Sequence, residues 1–240
     1  MVALRPADGA GQAEYLDFQE ATGLSPEKLE LFTIDSTTAT LPNLDDYDGI
    51  FVGGSPFNVT DLEHSELQKH SHDLMYEVLS SPVPALFTCY GASFTAFTFG
   101  GLVNRDYGES AGPTVVELTE AAARDRLAAD LPSTFHALTG HKEAIAVLPE
   151  NAVLLASGPT CPVQMYSIGS NNWITQFHPE LSAAGFMRRL MFYKHDGYFK
   201  ESEIEEIRQR AYAQDLSGAA LIVSRFTQMA SRHANSVLSS

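Results

Sequence analysis

Short runs of β-branched and aromatic residues alternate along this chain with longer stretches whose apolar residues recur at helical spacing. That alternation commits the chain to a sheet with helices on both faces, since a strand buried on two sides needs cover from connecting helices. The strands read as Val2–Leu4, Leu29–Ile34, Gly49–Val52, Pro84–Thr88, Thr114–Leu118, Ala152–Ala156, Val163–Tyr166 and Trp173–Phe177. Between the third and fourth, a helix is predicted from about Asp61 to Leu79. Leu67, Leu74, Met75 and Val78 fall on one face of it, and Asp61 can serve as N-cap. The segment CYGASFTAFTFGG follows the fourth strand directly and reads as a tight turn, a short helix and a Gly100-Gly101 stop. A helix from about Ser182 to Tyr193 should turn Phe186, Met187, Leu190 and Met191 inward. Two more are expected over Glu201–Tyr212 and Ser217–Ser231, the last with Leu221, Ile222, Phe226 and Met229 as its apolar stripe. The predicted architecture is an α/β domain over residues 1–195, three-layered around a mostly parallel central sheet. A C-terminal helical extension over 196–240 packs on the same domain.

Charge narrows the partners. Fifteen basic residues against thirty acidic ones give a formal net charge of −15, which repels phosphate backbones and argues against nucleic acid or an anionic membrane surface. No run approaches the ~18 consecutive apolar residues of a membrane-spanning helix. The start, MVALRPADGA, lacks a basic segment followed by an apolar one, so no secretory signal is expected. Two cysteines, Cys89 and Cys161, are too few for a disulfide framework, and the chain reads as cytoplasmic. Neither phosphate-binding glycine fingerprint occurs, so no nucleotide cofactor is implied. Cys161 has no second thiol nearby, and His70 and His72 point to different faces of their helix, so no metal is expected. His64 and His195 read as surface residues.

Three segments carry chemistry. Cys89 stands between a buried strand and a helix, at the sheet edge where open α/β sheets bind ligands. The N-terminus of the following helix favours a thiolate there, and Gly91 supplies backbone freedom for the turn. This is the strand–nucleophile–helix elbow of hydrolases with Cys in place of Ser; a buried structural cysteine is the competing reading. In WITQFHPEL, the last strand delivers His178, Pro179 stops the strand, and Glu180 can orient the imidazole. In GGSPFN, Gly54 can present an N–H to an oxyanion, and the Tyr90 N–H can supply the second donor; an ordinary turn is the alternative.

GGSPFN, CYG after an apolar strand, and QFHPE together resemble the class I glutamine amidotransferases, with the nearest likeness to stand-alone relatives of the GMP synthase glutaminase domain. The resemblance spans roughly residues 29 to 193. It implies that Cys89 is the nucleophile, His178 the general base and acid, and Glu180 its orienter. The family's elbow reads G-x-C-x-G-H-Q, whereas here Thr88 precedes the cysteine and Ala92 and Ser93 stand at the His and Gln positions. The segment GHKEA is similar to the family's S-H-x-D loop, which places His141 and Glu143 at the substrate's amino-acid head. Ser55 and Ser93 join them as substrate-binding residues.

The resemblance implies hydrolysis of the glutamine side-chain amide through a γ-glutamyl thioester, with no cofactor. The ammonia would pass to a separate synthase partner, since only about two helices' worth of sequence follows Tyr193. A γ-glutamyl hydrolase acting on γ-glutamyl amines or peptides is the alternative enzyme, and a non-catalytic binding or regulatory module on the same fold is the third reading. The apolar tail helices offer a face that a homodimer would bury.

Overall fold

The computed structural model describes residues 1–5, 9–193 and 197–237, with side chains up to 232. The elements run β1 (Val2–Ala3), α1 (Gly9–Thr22), β2 (Phe32–Thr33), β3 (Ile50–Val52), α2 (Glu66–Ser80), β4 (Ala85–Thr88), α3 (Tyr90–Thr98) and β5 (Leu102–Asn104). They continue as β6 (Glu109–Leu118), β7 (Thr134–His141), β8 (Ala144–Val147), β9 (Ala152–Ser157), β10 (Met165–Ile168), β11 (Asn172–Thr175), α4 (Ala183–Leu190), α5 (Ile204–Tyr212) and α6 (Ser217–Val237). Both the expected boundary at residue 195 and His195 lie outside the described residues.

Among the described residues, nine strands form one sheet in the order β2-β1-β3-β4-β11-β10-β9-β6-β7, and β5 pairs with β8 in a small ribbon. The core strands β2, β1, β3, β4 and β11 are mutually parallel. From β11 onward the pairing turns antiparallel, extending the sheet into a wing. Strand alternation divides the core strictly by side. Ala3, Phe51, Leu86 and Trp173 face one side, where α1 and α6 bring Phe18, Ile222, Val223 and Phe226. Val2, Ile50, Val52, Phe87 and Ile174 face the other, covered by α2 and α3 through Leu74, Met75, Val78 and Phe94. A third cluster joins Leu138 of β7 to Phe186 and Leu190 of α4 and Ile207 and Ala211 of α5.

Several expectations need correction. The helix expected from Asp61 starts at Glu66, because the Ser65 side chain caps it by accepting the Gln68 N–H at 3.1 Å. Asp61 instead pairs with Arg105 at 2.7 Å. In the fourth helix, Phe186 and Leu190 are buried but Met191 is exposed, since the α-helix ends at Leu190 and a 3₁₀ turn swings Met191 outward. Leu221 is likewise exposed, one position off the buried Ile222–Phe226 face of α6. Helix α1 and strands β5, β7 and β8 have no counterpart in the expected elements. No helix among the described residues is long and apolar enough to cross a membrane.

Candidate active site

Adjacent parallel strands point their carboxyl ends to the same edge, so whatever follows each strand meets there. In sheet order β1, β3, β4 and β11, those followers include Arg5, Gly53-Gly54, Cys89 and, three residues past its strand, His178. Cys89 has φ 54° and ψ −101°, and it alone among the described non-glycine residues has positive φ. Holding a side chain there costs about 1–3 kcal/mol and persists only where the surroundings over-determine it. They do so here. The Cys89 N–H donates to the Thr175 carbonyl at 2.8 Å, and its own carbonyl accepts from Ala92 at 2.9 Å. Gly91 lets α3 lie tight on β4, since a Cβ there would stand 2.7 Å from Phe87 Cβ.

His178 is tied to β7 through an N–H bond to the Leu138 carbonyl at 2.9 Å, and its Nδ1 meets Glu180 Oε1 at 2.7 Å. Its Cε1 and the Cβ of Cys89 both crowd Gly54, where an added Cβ would lie 3.1 Å and 3.5 Å from them. Burial disfavours the imidazolium, but the Glu180 carboxylate outweighs it, aided by Cys89, and the ring's pKa rises to about 9. For Glu180, burial raises the pKa, yet His178 and Arg189 bring it down to about 2. Cys161 is the opposite case. It is fully buried, its Sγ–H points at the Val163 carbonyl, and burial pushes its thiol up to about 12, which leaves it inert as a nucleophile.

Beneath the pair lies an ion network that the sequence reading missed. Glu14 of α1, without exposed surface, accepts from Arg189 of α4 at 3.1 Å and lies 3.5 Å from Arg5. Arg189 also donates to Glu180 Oε1 at 2.7 Å, so a guanidinium links the two carboxylates. Arg188 pairs with Asp17 at 2.6 Å at the network's outer edge. The signal for this network was a pair of acids at i, i+3 among Ala13 and Phe18 on one helical face, where charge is costly unless cations answer it.

The network also corrects one expectation. The Gly54 N–H donates to Glu14 Oε1 at 2.9 Å, so it is already spent and not free for an oxyanion. Tyr90 N–H sits in the first turn of α3, where backbone donors lack intrahelical partners. Ser55, Ser93, His141 and Glu143 do gather with Cys89 and Tyr90 around one small compartment. Two of them are occupied, however. Glu143 accepts the N–H groups of Val59 and Thr60 at 3.1 and 3.0 Å and the Thr60 hydroxyl at 2.8 Å. His141 ends β7, with Nδ1 on the Glu143 carbonyl at 2.8 Å and Nε2 on Glu109 at 3.0 Å. They shape the compartment and offer it no free polar atom, because the loop at 59–60 and the buried Glu109 claim theirs.

Among the described residues, two clusters bring metal-ligand atoms within 4.8 Å of one another. In Glu14, His178 and Glu180, the guanidinium groups of Arg5 and Arg189 already neutralise the carboxylates. In Glu109, His141 and Cys161, the carboxylate already accepts from Thr114, Thr160, His141 and Gln164.

Residues 21–195 match the family described as Glutamine amidotransferase class-I. The chain is 28% identical over 138 residues to a GMP synthase from Borrelia garinii, covering 58% of this chain and 24% of that protein. It thus spans about a quarter of the length of the GMP synthases it matches. It is 27% identical over 179 residues to a glutamine-hydrolyzing GMP synthase subunit from Picrophilus torridus, covering 73% and 87% of the two chains. Gamma-glutamyl peptidase 3 of Arabidopsis thaliana is 28% identical over 174 residues, covering 68% and 67%. The fold matches that of a crystal structure of a glutamine amidotransferase from Thermotoga maritima with a TM-score of 0.75 at 21% identity, covering 95% and 96%.

Proposed function

The chain belongs to the class I glutamine amidotransferase family, and on that premise we propose that it hydrolyses a γ-glutamyl amide through a covalent thioester. The observation that carries this reading is the strained Cys89 elbow facing a histidine held by a buried carboxylate. The Cys89 thiolate attacks the amide carbon, and His178 protonates the departing nitrogen as the C–N bond breaks. His178 then takes a proton from water, whose oxygen cleaves the γ-glutamyl thioester and restores the thiol. Glu180 stays ionised and keeps Nδ1–H of the ring pointed at itself, leaving Nε2 for the reacting groups. With the Gly54 N–H committed to Glu14, the Tyr90 N–H at the start of α3 is the backbone donor for the oxyanion.

Glutamine is the first substrate to test, with ammonia passing to a separate acceptor. The likeness to a protein named as one subunit of a GMP synthase supports such a division of labour. Purified protein incubated with glutamine should release ammonia and be labelled at Cys89 by a glutamine-analogue electrophile. Cys89→Ala should lower the rate by about 10⁴-fold or more. Ammonia release that survives the substitution would remove Cys89 from the mechanism. A γ-glutamyl hydrolase is the second reading. It is favoured by the likeness to a γ-glutamyl peptidase and by Ala92 and Ser93 in place of the family's His and Gln.

A further inference from the structure

With thirty acidic residues against fifteen basic ones, an exposed cation on this chain ordinarily has an acid beside it. Lys69 pairs with Glu66, Arg105 with Asp61 and Arg208 with Glu205. One groove departs from that pattern. It runs between α6 and the segment carrying Arg126 and Asp130, and it encloses about 770 Å³. That lies within the roughly 300–1,000 Å³ of small-molecule sites. Arg126, Arg225 and Arg232 face it, and Asp130 is the one carboxylate among the described residues that line it. Arg225 donates to Asp130 at 2.6 Å. Arg126 and Arg232 are exposed, and among the described residues neither meets a carboxylate within ion-pair distance. The three cations come from opposite walls. Arg225 and Arg232 stand on one face of α6 two turns apart, about 10 Å along its axis. Arg126 reaches from the other wall, its guanidinium 5.8 Å from the centroid of the Trp173 ring.

A local excess of positive charge on a molecule of net charge −15 selects its ligand by size as well as by sign. A nucleic acid or an anionic membrane would bring many phosphates against the acidic remainder of the surface, whereas a small anion meets only the arginines. Each guanidinium can hold a phosphate through two parallel N–H bonds, so cations spaced along a groove match charges spaced along a polyphosphate. Beside the arginines, α6 presents Leu221, 41% exposed, and the half-buried Met229. A bare anion gains nothing from that strip. A flat ring carried with the phosphates covers it, and the Gln228 amide on the same wall can donate and accept at the ring's edge. The sequence has no glycine-rich phosphate loop, and here guanidinium groups stand in for the backbone donors of such a loop.

We infer that this groove binds a nucleoside polyphosphate, with the phosphates on Arg126, Arg225 and Arg232 and the base against Leu221 and Met229. The site is separate from the one at Cys89, and no step of the amide hydrolysis proposed above depends on it. Its floor touches the start of β11 through Trp173, and the other end of that strand leads to His178.

Titration calorimetry of the full chain at low salt, without magnesium, tests this with ATP, AMP, adenosine, inorganic triphosphate and hexaglutamate. ATP should bind with a Kd of about 10–100 µM, about tenfold or more tighter than AMP or triphosphate, and adenosine should show no binding at about 1 mM. Arg126→Gln and Arg232→Gln should each weaken ATP about tenfold, and Leu221→Ser should bring ATP down to the level of triphosphate. These three side chains are exposed, so the variants should unfold close to the wild-type urea midpoint. Absence of ATP binding at about 1 mM overturns the inference, as does triphosphate or AMP binding as tightly as ATP. An ATP affinity unchanged in the folded Arg126→Gln/Arg232→Gln double variant overturns it too. Hexaglutamate binding at least as tightly as ATP overturns it in favour of an acidic protein segment. If the double variant does not fold, Trp173 decides, since it is the chain's single tryptophan and lies under Arg126. Its emission, excited to the red of ATP absorption, should change as ATP saturates, and an unchanged emission overturns the site. Binding is read without turnover, so ammonia release judges the hydrolase separately and neither failure carries over to the other.

Discussion

Glu14 is wedged between two guanidinium groups, and its carboxylate also takes the Gly54 N–H. Glu14→Gln keeps an oxygen for Gly54 but removes the charge that Arg5 and Arg189 lean on. Leaving buried cations under-compensated should destabilise the fold on the order of 3–5 kcal/mol, read as a lower urea midpoint. A cost below about 1 kcal/mol would mean that the network is compensated elsewhere. Gly53 tests the same carboxylate from the other side. A Cβ at Gly53 would lie 2.5 Å from Glu14 Oε2, so Gly53→Ala should destabilise by about 1–3 kcal/mol as the acid is pushed off its partners. Cys89, His178 and Glu180 were legible because each follows a strand whose apolar run marks it, and a residue just past a parallel strand has one place to go. Arg5 follows a strand too, but nothing local marks what it meets. Glu14 and Arg189 stand 175 residues apart, and each reads alone as an ordinary surface charge on a helix.

Among the elements, α1 shows why a helix can escape a reading based on periodicity. Its inner face carries Glu14 and Asp17 where apolar residues would mark the stripe, so the helix that supplies the site's central acid hides the signal for its own existence. Strand β7 escaped differently. Its buried positions alternate through Phe135, Ala137 and Thr139, but Leu138 is buried as well, beneath the third apolar cluster, and the run blurs. Helix α6 was legible in position and, through the buried Ile222 and Phe226, in its rotation on the core, with Leu221 the one misplaced member of the stripe. Phe226 packs 4.9 Å from the Phe51 ring and 6.3 Å from Trp173, whereas Leu221 is 41% exposed. Paired substitutions measure that rotation directly. Phe226→Ala should cost about 3–5 kcal/mol in equilibrium unfolding and Leu221→Ala about 0.5 kcal/mol or less. Comparable costs would place α6 in a different rotation on the core.

At the scale of the molecule, residues from the segment after β1, from α1, from the segment after β11 and from α4 converge on one buried set of charges, so folding and protonation are coupled. The His178 pKa rises from 6.5 to about 9, so the folded protein holds that proton more tightly than the unfolded chain. The corresponding stabilisation is complete below about pH 6.5 and disappears as the pH climbs through about 9. Another buried cation works in the opposite sense. Burial lowers the Met1 amino group from 8.0 to about 5, so between those values stability grows as the pH rises. The two overlap below pH 8 and separate above it, where the amine is neutral in both states and His178 is still losing its proton. Urea midpoints should therefore fall between about pH 8 and 10 in the wild type. In Glu180→Gln the carboxylate that holds the proton on the ring is gone. That variant should be less stable than the wild type at about pH 8, and its midpoint should decline far less over the same alkaline range. Parallel declines in the two proteins would show that the alkaline loss comes from other groups, and that the imidazole does not carry its proton past neutrality in the folded state.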